Sequence, residues 1–334
     1  METSDISFII PVYNRPQEIT ELLQSFTELH GDLNFEIVII EDGSTISSSK
    51  LVESFSDKLN ISYYFKDNSG PGDSRNYGMK RAKGSYFIIL DSDCLLPPKY
   101  VEVVIENLSR NYTDCYGGPD AAHDSFTNLQ KAINFSMTSF ITTGGIRGKK
   151  GSVTKFEPRS FNMGISKKAF EASGGFGKIH PGEDPDLSIR LEKLGFETQL
   201  IADAFVYHKR RISWKKFYKQ VYKFGMVRPI LNKWHPHTKK ITYWFPLFFS
   251  LGLITALILF FLGFSLLLKA YAFYFLLCLF LSLMNTRNIV VAIWSIPAVL
   301  IQFFGYGYGF LKAMLKLNSS NKSVEEVFPE LFFK

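Results

Sequence analysis

Cysteine is scarce in this chain. The 334 residues include three, Cys94, Cys115 and Cys278. An odd count at wide spacing excludes a disulfide framework and a zinc site, and it fits a reducing compartment. Phosphate-loop signatures are missing too. There is no Gly-x-x-x-x-Gly-Lys-Ser/Thr, and Arg75 stands where Gly70-Pro71-Gly72 would need a third glycine to make a dinucleotide fingerprint. These absences disfavour an ATPase or a dehydrogenase. No Gly-x-Ser-x-Gly or His-Glu-x-x-His occurs, which removes the common serine-hydrolase and zinc-protease signatures. Neither an internal repeat nor a low-complexity tract is present. Ser4 to Tyr13 is too short for a signal peptide and is already patterned as structure, so the soluble part is expected to start in the cytoplasm.

Charge is missing in two informative places. From His208 to Lys240 there are eleven Lys or Arg and no Asp or Glu. From Leu247 to Leu268, from Ala270 to Thr286 and from Asn288 to Leu311 there is no charge at all. Such runs predict two or three membrane helices. The third is interrupted by Pro297, Gln302 and Gly305-Tyr306-Gly307-Tyr308-Gly309, which predicts a re-entrant or interfacial segment. Beside these runs, the basic stretch reads as a cytoplasmic belt facing anionic lipid; nucleic acid is a distant alternative. Trp214, Phe217, Tyr218 and Val221 fall on one side of a helix and Lys215, Lys219 and Lys223 on the other, the pattern of a helix lying in the membrane interface. Lys312 and Lys316 predict a cytoplasmic C-terminal end, hence an even number of crossings.

Residues 1–208 read as one domain, whose first half alternates apolar strands with helices and whose second half is less regular. Strands are expected at Ser7–Ile10, ended by Pro11, and at Phe35–Ile40, Ile61–Phe65 and Tyr86–Leu90. Helices are expected from Pro16, over Ser47–Phe55, over Asp73–Lys83 and over Pro185–Leu194. This is an α/β pattern with a mostly parallel sheet covered on both faces, and such sheets bind ligands at the carboxyl ends of their strands. Asn14, Asp42, Asp91 and Asp93 all fall at those ends. The rest divides into a basic amphipathic segment at 209–240, a membrane region at 241–312 and a tail at 313–334.

Asp91-Ser92-Asp93 closes the apolar run Tyr86–Leu90. Two carboxylates one residue apart at a strand end can share a divalent cation, which can in turn hold a diphosphate. Asp42 ends another strand and could accept hydrogen bonds from a base or ribose, or simply cap a turn. Glu183, Asp184 and Asp186 open a helix. The helix dipole favours acids there, but three in four residues after Pro181-Gly182 exceed what capping needs. His208 follows a strand and is a candidate metal or diphosphate ligand.

Taken in order, these pieces resemble family 2 glycosyltransferases with a GT-A fold. The resemblance rests on Phe8-Ile9-Ile10-Pro11-Val12-Tyr13-Asn14, Glu41-Asp42-Gly43-Ser44, Gly72-Asp73-Ser74-Arg75-Asn76-Tyr77-Gly78 and Asp91-Ser92-Asp93. It continues through Gly174-Gly175-Phe176 and Gly182-Glu183-Asp184-Pro185-Asp186-Leu187-Ser188-x-Arg190-Leu191, and covers about residues 5–235. No Gln-x-x-Arg-Trp follows, unlike the processive cellulose and hyaluronan synthases.

The resemblance implies that Pro11, Val12, Asn14 and Asp42 contact the nucleotide, with Arg75, Asp91 and Ser92 near the base or diphosphate. It implies that Asp91 and Asp93, with His208, hold Mg²⁺ or Mn²⁺. Asp184 is the implied general base, with Glu183 in support. The expected protein is a metal-dependent inverting transferase on the inner membrane, multi-pass, with its catalytic domain cytoplasmic. It moves one sugar, UDP-linked for preference, onto a hydroxyl of a lipid-linked saccharide in cell-surface polysaccharide assembly. Its expected partners are the donor, that acceptor and anionic lipid. The alternatives are transfer onto polyprenyl phosphate and a non-catalytic, membrane-tethered nucleotide-binding subunit.

Overall fold

The computed structural model describes residues 1–31, 34–144 and 157–333. Its strands are β1 (Ile6–Val12), β2 (Glu36–Asp42), β3 (Ile61–Lys66), β4 (Tyr86–Leu90), β5 (Cys94–Leu95), β6 (Cys115–Gly117), β7 (Asp120–Ala121), β8 (Asn162–Ser166), β9 (Thr198–Leu200) and β10 (Val206–His208). Seven of them form one sheet in the order β3-β2-β1-β4-β8-β6-β9, and β5-β10-β7 form a smaller one. β1 to β4 run parallel, and β8 enters antiparallel between β4 and β6.

The first four strands arise for the expected reason. Alternate side chains of a strand point to opposite faces, and here both faces are covered. Phe8, Ile10 and Val12 pack with Leu22, Phe26 and Phe35 on one face. Ile9, Val38 and Ile40 pack with Phe87, Met163 and Leu187 on the other. One boundary differs from expectation. Pro11 does not end β1 but pairs with Ile40, inside the strand. β1 pairs with β4 only as far as Ile9, so a proline at 11 costs no ladder hydrogen bond on that side.

The chain divides into two compact units. One comprises residues 1–123, 145–209 and 330–334, the other residues 124–144 and 210–329. Each is thus discontinuous in sequence, and residues 124–144 group with the apolar C-terminal half.

In the second unit, three helices are long and apolar enough to cross a membrane: Ile241–Phe261, Leu266–Thr286 and Ile289–Asn318. The third apolar run is therefore one continuous helix, with Pro297 inside it. The basic helix is also longer than expected, Trp214–Trp234. Part of its apolar stripe is buried within the protein, while Tyr218 stays exposed. Phe217 and Val221 are buried against Ile133, Met137 and Ala298. The two helices cross backbone to backbone. A Cβ on Gly225 would lie 2.1 Å from the Tyr306 carbonyl oxygen, and one on Gly309 would lie 2.2 Å from that of Tyr222. Gly225, Gly305 and Gly309 thus serve helix packing, not an interruption of the helix.

Candidate active site

The carboxyl ends of β1, β2 and β4 line one edge of the sheet, and two further pieces of chain complete the site. The first is the small sheet. Asp93 directly precedes β5, His208 ends β10 opposite Cys94, and Asp120 opens β7 opposite Val206. This pairing sets His208 Nε2 3.1 Å from Asp93 Oδ1 and 4.0 Å from Asp91 Oδ2, with its Nδ1 3.9 Å from Asp120 Oδ2. Phe161 stacks on the imidazole at 4.9 Å and fixes its plane. Two carboxylates and one imidazole meeting at a strand end are a fitting donor set for Mg²⁺ or Mn²⁺. The Cys94 sulfur lies nearby, but burial holds its thiol pKa well above the ordinary value, so it stays a neutral core group.

The second piece is the helix Glu183–Lys193, which meets the strand ends through Arg75. Arg75 sits in the first turns of the helix Pro71–Met79 and is only 3 % exposed. Its guanidinium donates to Asp91 Oδ1 at 2.8 Å and to Glu183 Oε1 at 3.1 Å. His180 Nδ1 reaches the same Glu183 oxygen at 2.9 Å. Burial opposes the charge on Arg75, but Asp91, Glu183 and Asp184 outweigh it and raise its pKa.

Neighbouring acids on the helix diverge. Burial raises Glu183, but His180 and Arg75 overcome it and hold the carboxyl down at about 2. Asp184 goes the other way. Burial, and then the negative charge of Glu183, push it up to about 6 against the pull of Arg75, Arg159 and Ser160. Asp186 pairs with Arg190 at 2.9 Å, and Arg190 also grips the carbonyls of Ser173 and Gly175 at 2.6 Å.

Not every expected residue faces the cleft with a free side chain. Val12 belongs to the hydrophobic core, so only its backbone could meet a nucleotide. Pro11 is half-buried and Ser92 buried. Asn14, with φ of 53°, stitches two loops, its side-chain oxygen accepting from Thr45 N, Thr45 Oγ1 and Ile46 N at 2.9–3.0 Å. Both oxygens of Asp42 are engaged by the loop after β3. Oδ1 takes Lys66 Nζ at 2.6 Å and Ser69 N at 3.0 Å, and Oδ2 takes Gly70 N at 3.0 Å. Arg15, Lys66, Asp120 and His180 were not singled out in the sequence. Arg15 closes on Asp93 Oδ2 at 2.6 Å. Its position just after β1, and that of Lys66 at the end of β3, were available signals; Asp120 and His180 carry none.

Glycosyl transferase family 2, as a sequence profile, matches residues 7–174, half of the chain. The chain belongs to this family. Over 111 residues it is 38 % identical to an uncharacterized glycosyltransferase of Rickettsia felis, an alignment covering 33 % of this chain and 18 % of that protein. Over 90 residues it is 38 % identical to the poly(ribitol-phosphate) beta-N-acetylglucosaminyltransferase TarS of Staphylococcus aureus, covering 26 % of this chain and 16 % of TarS. The matched stretch thus spans less than a fifth of either relative. In three dimensions the chain is similar to the mannosyltransferase PcManGT from Pyrobaculum calidifontis, solved with GDP-Man and Mn²⁺. The TM-score is 0.56 at 14 % identity, over 95 % of this chain and 88 % of that one. That likeness shows the fold, GT-A.

Arg75→Met leaves Asp91 and Glu183 without their shared cation. Breaking a buried pair in this way costs about 3–5 kcal/mol, and the denaturation midpoint of the purified variant should fall accordingly. A loss below about 1 kcal/mol would show that the guanidinium does not hold the two elements together.

Proposed function

We propose that the chain is an inverting, metal-dependent glycosyltransferase. It would take a sugar from a nucleotide donor and add it to a hydroxyl of a membrane-associated saccharide. The observation that supports this best is the placement of Asp91 and Glu183 around one guanidinium, with Asp184 next to Glu183 on the same helix. It gathers an acidic strand end and a proton-accepting helix at a single cleft.

In this reading Asp184 removes the proton from the acceptor hydroxyl as that oxygen attacks the anomeric carbon. The new C–O bond forms as the bond from that carbon to the diphosphate oxygen breaks on the opposite face, so configuration inverts. A base held near pKa 6 is mostly ionised at pH 7 to 8 yet more basic than an ordinary aspartate, which suits it to general-base work. Glu183, paired on both sides, acts by holding Arg75. Asp91, Asp93 and His208 would hold the divalent cation. When bound, the cation neutralises charge on the leaving nucleoside diphosphate. Asp42 acts through the backbone, shaping the loop at Gly70, and Arg15 and Arg75 keep Asp93 and Asp91 aimed.

The membrane context supports a lipid-linked acceptor in surface-polysaccharide assembly, since such an acceptor is anionic and sits where the basic helix meets the apolar ones. Topology can be argued as well. Residues 1–123, 145–209 and 330–334 pack in one unit, and one folded unit occupies one side of a bilayer, which we read as the cytoplasmic side of the inner membrane. The chain between must therefore cross an even number of times. The hairpin of Ile241–Phe261 and Leu266–Thr286 supplies two crossings. Ile289–Asn318, 30 residues and about 45 Å long, has the largest share buried in protein and packs on a lysine-rich helix, so it is not a full crossing. A reporter fused after Phe333 should read cytoplasmic, like one at the N-terminus. Opposite readings would require three crossings.

Asp184→Asn should abolish transfer to a hydroxyl while leaving nucleotide binding intact. In wild type, the rate should fall as pH drops through about 6. Retained turnover in the variant would instead favour transfer onto polyprenyl phosphate, an acceptor that is already an anion. Stability supplies an independent check. A carboxyl raised in the folded state stabilises it below the unfolded pKa, and that contribution is lost as pH rises through about 6. Asp184→Asn should therefore match wild type near pH 4 and exceed it above pH 6. The gain should be about 1–2 kcal/mol once screening of a half-buried group is allowed for.

Donor class and metal can be tested together. Thermal shift against UDP-, GDP- and dTDP-sugars should show one nucleotide class binding only with Mn²⁺ or Mg²⁺, and this cation-dependent shift should be lost in Asp93→Ala and His208→Ala. No shift with any donor from folded protein would favour the non-catalytic reading.

A further inference from the structure

The last described residues of the chain belong to the catalytic unit. After the apolar helices, a short turn at Pro329–Leu331 returns the chain to the loop that precedes Glu183. Leu331 is 1 % exposed, as is Ile179 beside it. Phe332 pairs with Ile179 in an antiparallel bridge. His180 N donates to the Leu331 carbonyl at 2.7 Å, and Phe333 N donates to that of Lys178 at 3.3 Å. The tail is thus built in as a strand-like strap, not merely laid on a surface.

The strap touches both halves of the site. Phe333 covers Gly70, whose φ is +93°. A Cβ on that glycine would lie 2.3 Å from the ring, so both backbone and neighbour demand glycine there. Gly70 is the residue whose N–H meets Asp42 Oδ2, and it opens the helix that carries Arg75. Two residues on, a Cβ on Gly72 would lie 2.9 Å from the Gly177 carbonyl oxygen, so the start of this helix is also pressed against the segment just before His180. On the other side the strap holds His180, whose ring faces Phe333 at 5.9 Å and whose Nδ1 meets Glu183 at 2.9 Å. Contacts therefore run without a break from Leu331 through His180, Glu183 and Arg75 to Asp91.

We propose that Leu331–Phe333 is a positioning segment of the active site. It clamps the Gly70 loop to the His180–Glu183 turn, so that Arg75 and the Asp42-bound loop are preset for a nucleoside diphosphate. The apolar helices then have a second role besides attachment, because they deliver the strap. The inference rests on the donor site proposed above, but its structural half can be read without any donor.

The test uses the full chain in detergent beside a variant ending at Pro329, with Phe333→Ala and His180→Gln as milder changes should the shortened chain fail to fold. Hydrogen exchange needs no ligand. The peptides spanning 67–80 and 176–184 should exchange faster in each variant, while those of β1 and β4 stay as in wild type. With Mn²⁺ and the donor nucleotide, the apparent KM for donor should rise about tenfold, equivalent to about 1.4 kcal/mol, with a smaller change in kcat. Faster exchange in a protein that binds no nucleotide would uphold the clamp and reject the donor reading. Unchanged exchange, or a lower melting temperature with donor KM within twofold of wild type, would overturn the clamp and leave a tail that only adds stability.

Discussion

The ion pairs of Arg75 are the constraint on which the site depends. A guanidinium only 3 % exposed must have its charge met on the spot, because an uncompensated charge in that position costs several kcal/mol. Asp91 comes from the end of β4 and Glu183 from a helix 92 residues later. Neither element alone would fix the other, since helices and strand ends have many ways to pack. The planar fork of arginine, contacting one carboxylate with each terminal nitrogen, narrows these to one. Asn76, one residue on, repeats the linkage. Its amide donates to the Phe176 carbonyl at 2.9 Å and accepts from Phe176 N at 2.8 Å, while Phe176 lies under the guanidinium at 5.3 Å. Two consecutive side chains of one helix thus clamp the downstream loop.

The cation-type cluster depends on a different device. A parallel sheet brings strand ends to one edge but does not by itself aim a histidine at them. The three short strands β5, β10 and β7 do so by register, with His208 opposite Cys94 and Val206 opposite Asp120. Strands of two or three residues are too short to be stable alone. They persist because their neighbours are already held by the main sheet and because Phe161 stacks on the imidazole.

The legibility of this chain follows from the range of its interactions. β1 to β4 were readable because each is a run of apolar residues buried on both faces, a local signal. β6, β7 and β9 were not, being too short to show a period, and β8 was readable only as a short strand or loop at Phe161–Ile165, because Asn162 and Gly164 stand where an apolar run would be expected. Asn162 is there to bond Tyr100 and the Ala204 carbonyl, a reason visible only after folding. The acidic clusters were legible by position, and so were Arg75 and Asp184. What the positions could not disclose is which acids are spent on structure. Asp42 and Asn14 stand at strand ends like Asp91, yet their side chains bind neighbouring loops. Gly174-Gly175-Phe176 and Arg190 turn out to recognise each other and Asn76. Several parts of the family pattern therefore encode the clamp around the site and not the contacts within it. The apolar stripe of the Trp214–Trp234 helix is ambiguous in sequence because lipid and a neighbouring helix demand the same side chains.

Glu183 and Asp184 show how one folded environment can divide two like groups. They are adjacent, and two carboxylates so close cannot both ionise freely. The arrangement resolves the conflict by giving both the guanidinium and the imidazole nearby to Glu183. His180 and Arg75 close on its side chain, so its charge is secure and its oxygens are occupied. Asp184 is left with the field of that charge and with partial burial, offset only by the more distant Arg75 and Arg159 and by Ser160. An acid placed this way is the less stable anion of the two and hence the more willing proton acceptor. The same reasoning that makes Asp184 costly to the fold makes it useful to a reaction that must remove a proton near neutral pH. Environments that push neighbouring pKa values apart are a physical mark by which acid–base roles can be told from mere ion pairing. On that criterion Glu183 is the anchored carboxylate, and Asp184 fits the general-base role proposed for it.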